Sequence, residues 1–85
     1  MGFSDQPLPE EFYFLCMLHN IGVTSSDKSL TLEEISRRLA MEPQKARENL
    51  EKLIKNNYVD VNCSGDVERY HVTTNGIMKV LSMYS

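Results

Sequence analysis

The chain has 85 residues, which is enough for one small domain with a single hydrophobic core and too few for a separate catalytic lobe. Hydrophobic residues make up 41% of it and charged residues 25%, as in a globular domain and unlike a disordered chain. Nine Lys and Arg against twelve Asp and Glu give a formal net charge of −3, so no overall positive field would attract nucleic acid.

The two cysteines and the longest apolar run point to a cytoplasmic protein. Cys16 and Cys63 form neither a metal-binding spacing nor a disulfide framework, so we expect reduced thiols. The apolar run at residues 12–18 is too short for a membrane span or a signal-peptide core. We expect residues 1–8 to form a flexible arm and residues 9–85 to form a single domain.

The first helix is predicted over residues 9–21. Pro9 suits the first position of a helix, and Gly22 is suited to end it in a left-handed conformation. Apolar residues cover more of its circumference than one core contact needs. Either the hairpin and the last helix cover both faces, or one face binds a second copy of the chain through Phe12, Phe14, Met17 and Leu18.

A polar loop at residues 24–29 precedes the second helix, and Leu30 is a candidate for a very short strand. Thr31 followed by Glu34 is a capping box, in which each side chain bonds the backbone amide of the other residue. The second helix is therefore predicted over residues 32–40.

The third helix is predicted over residues 43–56, because Pro43 pre-sets the first turn. Helical spacing places four apolar residues on its core side: Ala46, Leu50, Leu53 and Ile54. The opposite side carries Gln44, Lys45, Glu48, Glu51, Lys52 and Lys55, with Arg47 and Asn49 at its margins.

A hairpin and a short last helix complete the predicted order. Asn57 tolerates the left-handed conformation that ends a helix. Alternating apolar residues on either side of a Ser-Gly-Asp turn predict two strands within residues 58–72. Thr73 is the expected cap of a helix that ends at Met83, with an inward stripe of Ile77, Val80, Leu81 and Tyr84.

Three segments, TLEEISRRLA, MEPQKARENLEKLIKNNYV and GDVERYHVTTNG, resemble the winged helix-turn-helix domains of MarR-like and PadR-like transcription regulators. The resemblance implies an α+β fold with three helices, a two-stranded wing and a short C-terminal helix. Pro43 matches the opening of the recognition helix, and Asn57 replaces the glycine that ends it. The wing pattern of that family falls on Asp66, Arg69, Thr73 and Gly76, with Val72 in place of leucine.

Three features depart from the family pattern. Glu48 lies where such regulators commonly have a polar or basic residue, and Glu42 lies where they usually have a capping Ser or Thr. Both changes weaken the attraction of phosphate. The long terminal helices through which MarR-like proteins dimerise are also missing after Gly76, so a dimer would need another surface.

The resulting hypothesis is a small transcription regulator that binds duplex DNA with residues 43–56 in the major groove and residues 58–72 as the wing. Gln44, Lys45 and Glu48 would approach base edges. Three basic residues of the helix would contact phosphates: Arg47, Lys52 and Lys55. From the wing, Arg69 could reach either the DNA backbone or the minor groove. Residues 37–55 contain six basic and three acidic residues, so this segment has a local positive excess.

Two other interpretations remain open. The third helix could be an ordinary solvated face with ion pairs between Glu48 and Lys52 and between Glu51 and Lys55. The domain could then be a protein-protein interaction module in a multisubunit assembly, without direct DNA binding, as its acidic balance favours.

An enzyme is not predicted. His19 and His71, taken with the two cysteines, lack a metal-ligand spacing, and the sequence has no phosphate-binding loop or nucleophile motif. We therefore expect neither a metal nor a cofactor.

Overall fold

The computed structural model describes residues 8–84. Its helices are α1 (Glu10–Asn20), α2 (Leu32–Arg38), α3 (Pro43–Lys55) and α4 (Thr74–Met83), with a short 3-10 helix between α1 and α2 (Ser26–Lys28). Its two strands, β1 (Val59–Ser64) and β2 (Val67–Val72), pair in antiparallel fashion between α3 and α4. This order confirms the predicted α+β architecture. Of the predicted N-terminal arm, all but Leu8 lies outside the described residues.

One hydrophobic core joins the helices to the hairpin. Each α-helix and each strand contributes at least one fully or nearly fully buried side chain: Phe14, Leu15, Leu18, Ile35, Ala46, Leu50, Leu53, Val59, Tyr70, Val72 and Val80. The predicted core side of α3 is confirmed for Ala46, Leu50 and Leu53, whereas Ile54 is only half-buried. The core thus fixes which face of α3 points away from the domain.

The capping box at the start of α2 is confirmed. The Thr31 hydroxyl accepts a hydrogen bond from the Glu34 amide at 3.2 Å, and the Glu34 carboxylate accepts one from the Thr31 amide at 2.9 Å. Two amides that the helix itself cannot satisfy are therefore bonded. Leu30, which precedes Thr31, exchanges two backbone hydrogen bonds with Tyr70. The predicted short strand at Leu30 is therefore confirmed, as an isolated β-bridge.

The turn between α2 and α3 depends on Ala40 and Ser36. Ala40 has a φ of 52°, which is unusual for a residue with a side chain. The buried Ser36 hydroxyl donates to the Met41 carbonyl, and the Met41 amide donates to the Ser36 carbonyl at 2.9 Å. These paired bonds hold the sharp change of direction that sets the angle of α3.

The hairpin has the predicted position. Val59 pairs with Val72 at its base, Ser64 pairs with Val67 at its tip, and Gly65 turns the chain with a φ of 64°. Asn57 has a φ of 64° after α3, which confirms its predicted role at the end of that helix. The strands extend beyond the core, so residues near the tip are exposed.

The predicted dimer surface on α1 is wrong for two of its four residues. Phe14 and Leu18 have no solvent exposure, because the other elements of the same protomer pack over them. Phe12 and Met17 are partly buried against the core, and the Phe12 ring has the Lys79 ammonium 4.8 Å from its centre. This side of α1 is therefore used within the protomer.

The predicted inward stripe of α4 is wrong at two of its four positions. Leu81 is 54% exposed and Tyr84 is 64% exposed, while Val80 is fully buried and Ile77 packs against the core. The helix rests on the core along the side that carries Gly76 and Val80, which turns Leu81 and Tyr84 toward its flank.

Candidate nucleic-acid interface

The exposed face of α3 lies opposite its core side. At helical spacing, the residues farthest from the core are Gln44, Glu48, Glu51 and Lys55, all of which are exposed. Lys45 and Lys52 lie on the flank toward α1, and Arg47 lies on the flank toward the hairpin. The predicted DNA contacts on α3 therefore fall on one face and its two edges.

The side chains at the middle of this face contact each other along the helix. The Gln44 amide donates a hydrogen bond to the Glu48 carboxylate at 3.3 Å. The predicted ion pairs of Glu48 with Lys52 and of Glu51 with Lys55 are not formed within residues 8–84, where the two ion pairs are Lys45 with Glu10 and Arg69 with Glu34. The lysines of the outer face are therefore not neutralised by direct contact with those two acids.

The flank toward α1 contains a contact that the sequence did not reveal. Asn49 was predicted at the margin of the exposed face, but it is 2% exposed and its amide donates to the Glu10 carboxylate at 3.1 Å. The other carboxylate oxygen of Glu10 lies 3.5 Å from the Lys45 ammonium. Asn49 follows Ala46 by three residues and precedes Leu53 by four, so helical spacing alone was a signal for its burial.

The charge of Glu10 is favoured by these contacts. The hydrogen bond from Asn49 is the main cause that lowers the pKa of Glu10, and the positive charge of Lys45 lowers it further. Lys52 adds a smaller attraction from the same flank. Glu10 is therefore a carboxylate in ionised form at the edge of the α3 face.

The opposite flank is a cleft between α3 and the hairpin. A space of about 240 Å³ is lined there by residues of α3, β1 and β2, with Arg47 at its edge: Arg47, Leu50, Glu51, Ile54, Val61, Glu68 and Tyr70. The Tyr70 hydroxyl lies 3.1 Å from the Glu68 carboxylate, to which it donates. Burial raises the pKa of Tyr70, and the acceptor Glu68 raises it further, so this hydroxyl stays protonated.

Arg69 lies on the other face of the hairpin. In β2 it alternates with Glu68 and Tyr70, which face α3, so it points away from the Arg47 cleft. Its guanidinium donates to the Ser29 carbonyl at 3.5 Å and lies 3.9 Å from the Glu34 carboxylate. The structure thus brings together the predicted contact residues of α3 and places Arg69 apart from them.

Other candidate chemistry is limited within residues 8–84. That part of the chain contains no cluster of three or more His, Cys, Asp or Glu able to hold a metal ion. Cys16 and Cys63 are free thiols. None of the described helices has the length and apolar character needed to cross a membrane.

Solved structures with the same fold include DNA-binding proteins. The DNA-binding TubR fragment from Clostridium botulinum is 24% identical, with a TM-score of 0.77 over 92% of this chain and 99% of that one. TubR from Bacillus megaterium is 19% identical, with a TM-score of 0.75 over 91% of this chain and 87% of that one. The fold is a winged helix-turn-helix.

This winged helix also matches one part of a larger regulator. A MarR variant from E. coli, solved in complex with operator DNA, is 15% identical, with a TM-score of 0.71 over 93% of this chain. The match covers 54% of the MarR chain, so the present chain spans about half of it. No protein-family model and no curated protein sequence matches this winged helix.

Proposed function

We propose that the protein binds duplex DNA as a transcription regulator, with α3 in the major groove and the β1–β2 hairpin as the wing. The observation that carries this proposal is the arrangement of α3, which exposes Gln44 and Glu48 between cationic residues on both flanks. The fold it shares with a DNA-binding TubR fragment and with MarR on its operator supports the same function.

The middle of the α3 face supplies groups that can read bases. Glutamine can pair with adenine through two hydrogen bonds, and glutamate can accept a hydrogen bond from the amino group of cytosine. Because the Gln44 amide donates to Glu48, each side chain restricts the orientation of the other. A preferred site that contains cytosine opposite Glu48 is therefore expected.

The flanks supply contacts to phosphates. A helix in the major groove has a DNA strand on each side, so Lys45 and Lys52 would approach one strand and Arg47 the other. The position of Lys45 on the flank, beside Glu10, thus favours a phosphate contact over the base-edge contact expected from the sequence. Lys55 extends the cationic surface at the end of the helix. Arg69 would have to exchange its contacts with Ser29 and Glu34 for a phosphate in order to take part.

Fluorescence anisotropy with labelled duplex, measured over a range of salt concentrations, tests this function. Replacing Lys45 and Lys52 by Gln should weaken binding strongly. It should also reduce the dependence of binding on salt, because a protein that contacts fewer phosphates releases fewer counterions from the DNA when it binds. Replacing Lys28 and Lys79 by Gln changes the net charge equally, away from α3, and should have a much smaller effect. Absence of duplex binding by the unaltered protein at low salt would refute the proposal.

A homodimer would present two copies of α3 to neighbouring major grooves. Since Phe14 and Leu18 on α1 are fully buried, exposed apolar side chains at α4 are the surface that supports this part of the proposal. Met78 is 62% exposed and Tyr84 is 64% exposed. Sedimentation equilibrium of the protein should show a dimer that Met78→Glu disrupts, while Asn75→Glu on the same helix should leave it intact. A protein that stays monomeric at high concentration would contradict the dimer.

The charge balance favours a second function, a protein-protein interaction module. Glu48 and Glu51 occupy the middle of the α3 face, where they repel phosphate, and the whole chain carries a net charge of −3. Such a module would show no duplex binding at any salt concentration. The DNA titration therefore separates the two functions.

The expected cellular location follows from the proposed partner. Both cysteines are free thiols, which are typical of a reducing compartment, and a DNA-binding regulator must share a compartment with its DNA. We infer a cytoplasmic location.

A further inference from the structure

The first turn of α1 reaches the edge of the proposed DNA-binding face through one side chain. Both oxygens of Glu10 contact α3: one accepts the hydrogen bond from the Asn49 amide at 3.1 Å, and the other lies 3.5 Å from the Lys45 ammonium. Asn49 and Lys45 are one helical turn apart on α3, so the carboxylate spans that turn.

The bond from Asn49 holds the carboxylate in place. Because Asn49 is 2% exposed, water has little access to its amide, and rotation of Glu10 toward solvent would leave that donor with the Met41 sulfur, a weak acceptor 3.9 Å away. An ordinary surface carboxylate would move away when a phosphate approaches. Glu10 instead remains beside Lys45, whose side chain is half-exposed on the flank that would face a DNA strand.

A fixed negative charge at this position has opposite effects on the two parts of DNA recognition. It partly neutralises Lys45 and repels phosphate, which weakens the electrostatic attraction that supplies almost all non-specific binding. Its contacts are with Asn49 and Lys45, whereas Gln44 bonds Glu48, so the negative charge of Glu10 makes no direct contact with the base-reading groups. Specific binding therefore loses a smaller share of its affinity than non-specific binding.

We propose that Glu10 is a specificity-determining residue of the DNA-binding surface, acting as a built-in counterion of Lys45 that suppresses binding to non-specific DNA. This inference rests on the proposed DNA-binding function. Glu10 acts through Lys45 and Asn49 and need not touch DNA itself.

The variant Glu10→Gln isolates the charge. A glutamine side chain keeps an oxygen that can accept the Asn49 hydrogen bond, but it carries no negative charge. Glu11→Gln is the matched control, since Glu11 has the same charge in the same helical turn and makes no ion pair within residues 8–84. Thermal melting of both variants verifies that each is folded.

The measurement is the affinity of each protein for a duplex of arbitrary sequence and for a duplex selected by the protein from a random pool, over a series of salt concentrations. Glu10→Gln should bind the arbitrary duplex about two- to fivefold more tightly at low salt, the range expected from releasing one exposed ion pair. The slope of log affinity against log salt concentration should become steeper by up to about one, which corresponds to one more released counterion. The preference of the variant for the selected duplex should fall. Glu11→Gln should show much smaller changes.

The role of Lys45 is tested by combining variants. In a protein that already carries Lys45→Gln, the change Glu10→Gln should lose most of its effect, because the residue that it releases is absent. Equal changes in Glu10→Gln and Glu11→Gln, or an undiminished effect without Lys45, would overturn the inference while leaving DNA binding established. If neither the unaltered protein nor any variant binds duplex, the proposed function itself fails, and this inference fails with it.

Discussion

The side-chain amide of Asn49 donates a hydrogen bond to the carboxylate of Glu10, a residue 39 positions earlier in the chain, across 3.1 Å. This bond joins the first turn of α1 to the middle of α3 at a point where Asn49 is buried. Apolar packing along the rest of the contact could tolerate small shifts, but a buried amide needs its partner at a defined distance. The pair therefore helps to set the position of α3 on the core.

Replacing Asn49 by Ala should destabilise the domain. The variant loses the buried hydrogen bond and leaves a small cavity, for which we expect a decrease of about 1–3 kcal/mol in the free energy of unfolding. Urea denaturation followed by circular dichroism measures this change. Asn56→Ala, at the exposed end of the same helix, is the control and should change stability far less. Equal effects of the two substitutions would show that the buried bond contributes little.

The capping box of α2 should make the stability of the protein depend on pH in the acidic range. The hydrogen bond from the Thr31 backbone amide is the main cause that lowers the pKa of Glu34 below its ordinary value of 4.5. The folded protein therefore binds this proton less readily than the unfolded chain does. Its contribution to stability is complete above pH 4.5 and is lost as the pH falls through the lowered pKa of the folded state.

The variant Glu34→Gln tests this dependence. It should be less stable than the unaltered protein at neutral pH, and the difference should shrink in acid, where both side chains are uncharged. Glu33→Gln removes an exposed carboxylate from the same helical turn without touching the capping box. Urea midpoints of the three proteins over a pH series provide the comparison. A difference for Glu34→Gln that is independent of pH would contradict this account.

Replacing Ala40 by glycine should increase the stability of the protein. Its φ of 52° places it in the left-handed region, which costs about 1–2 kcal/mol for a residue with a side chain. Glycine avoids that cost but loses more entropy on folding, about 0.5–1 kcal/mol. We therefore expect Ala40→Gly to stabilise the protein by up to about 1 kcal/mol and to raise its melting temperature.

The matched control for Ala40 is Ala46→Gly. Ala46 is fully buried within α3, so the same chemical change should there destabilise the protein by about 1 kcal/mol or more. Differential scanning calorimetry of both variants gives the two shifts. A lower melting temperature for Ala40→Gly would mean that the positive φ is not a source of strain.

Local patterns in the sequence predicted most of the fold. The Thr31–Glu34 box, Pro43 at the start of α3 and the alternating strands each depend on residues that lie close together in the chain, so their geometry follows from local chemistry. The buried state of Phe14 and the exposure of Tyr84 depend on which elements pack together. A helical pattern that is apolar on several sides does not determine that choice.

The same limit applies to the candidate site. Helical spacing predicted the exposed residues Gln44 and Glu48, because the apolar residues of α3 define its inner side. It could not predict that Glu10, from another helix, binds Lys45 and Asn49. Contacts between distant parts of a chain are set by the packing of whole elements, and they modify a surface that local patterns only outline.

Gly76, in the first turn of α4, should tolerate no larger residue. A Cβ atom at this position would lie 2.6 Å from the Val72 Cγ1 atom and would overlap the carbonyl oxygen of Tyr58, which accepts a hydrogen bond from the Thr73 amide at 3.0 Å. Because that oxygen belongs to the backbone, it cannot rotate away as a side chain could. Relief would require α4 to shift from the hairpin base.

We expect Gly76→Ala to lower the free energy of unfolding by about 1–3 kcal/mol, although alanine is otherwise the better helix former. For a domain of this size, each kcal/mol corresponds to a decrease of about 4–8 °C in melting temperature. Asn75→Ala, at the exposed neighbouring position, is the control and should leave the melting temperature nearly unchanged. If Gly76→Ala melted at the same temperature as Asn75→Ala, the contact between α4 and the Tyr58 carbonyl would not limit the residue at position 76.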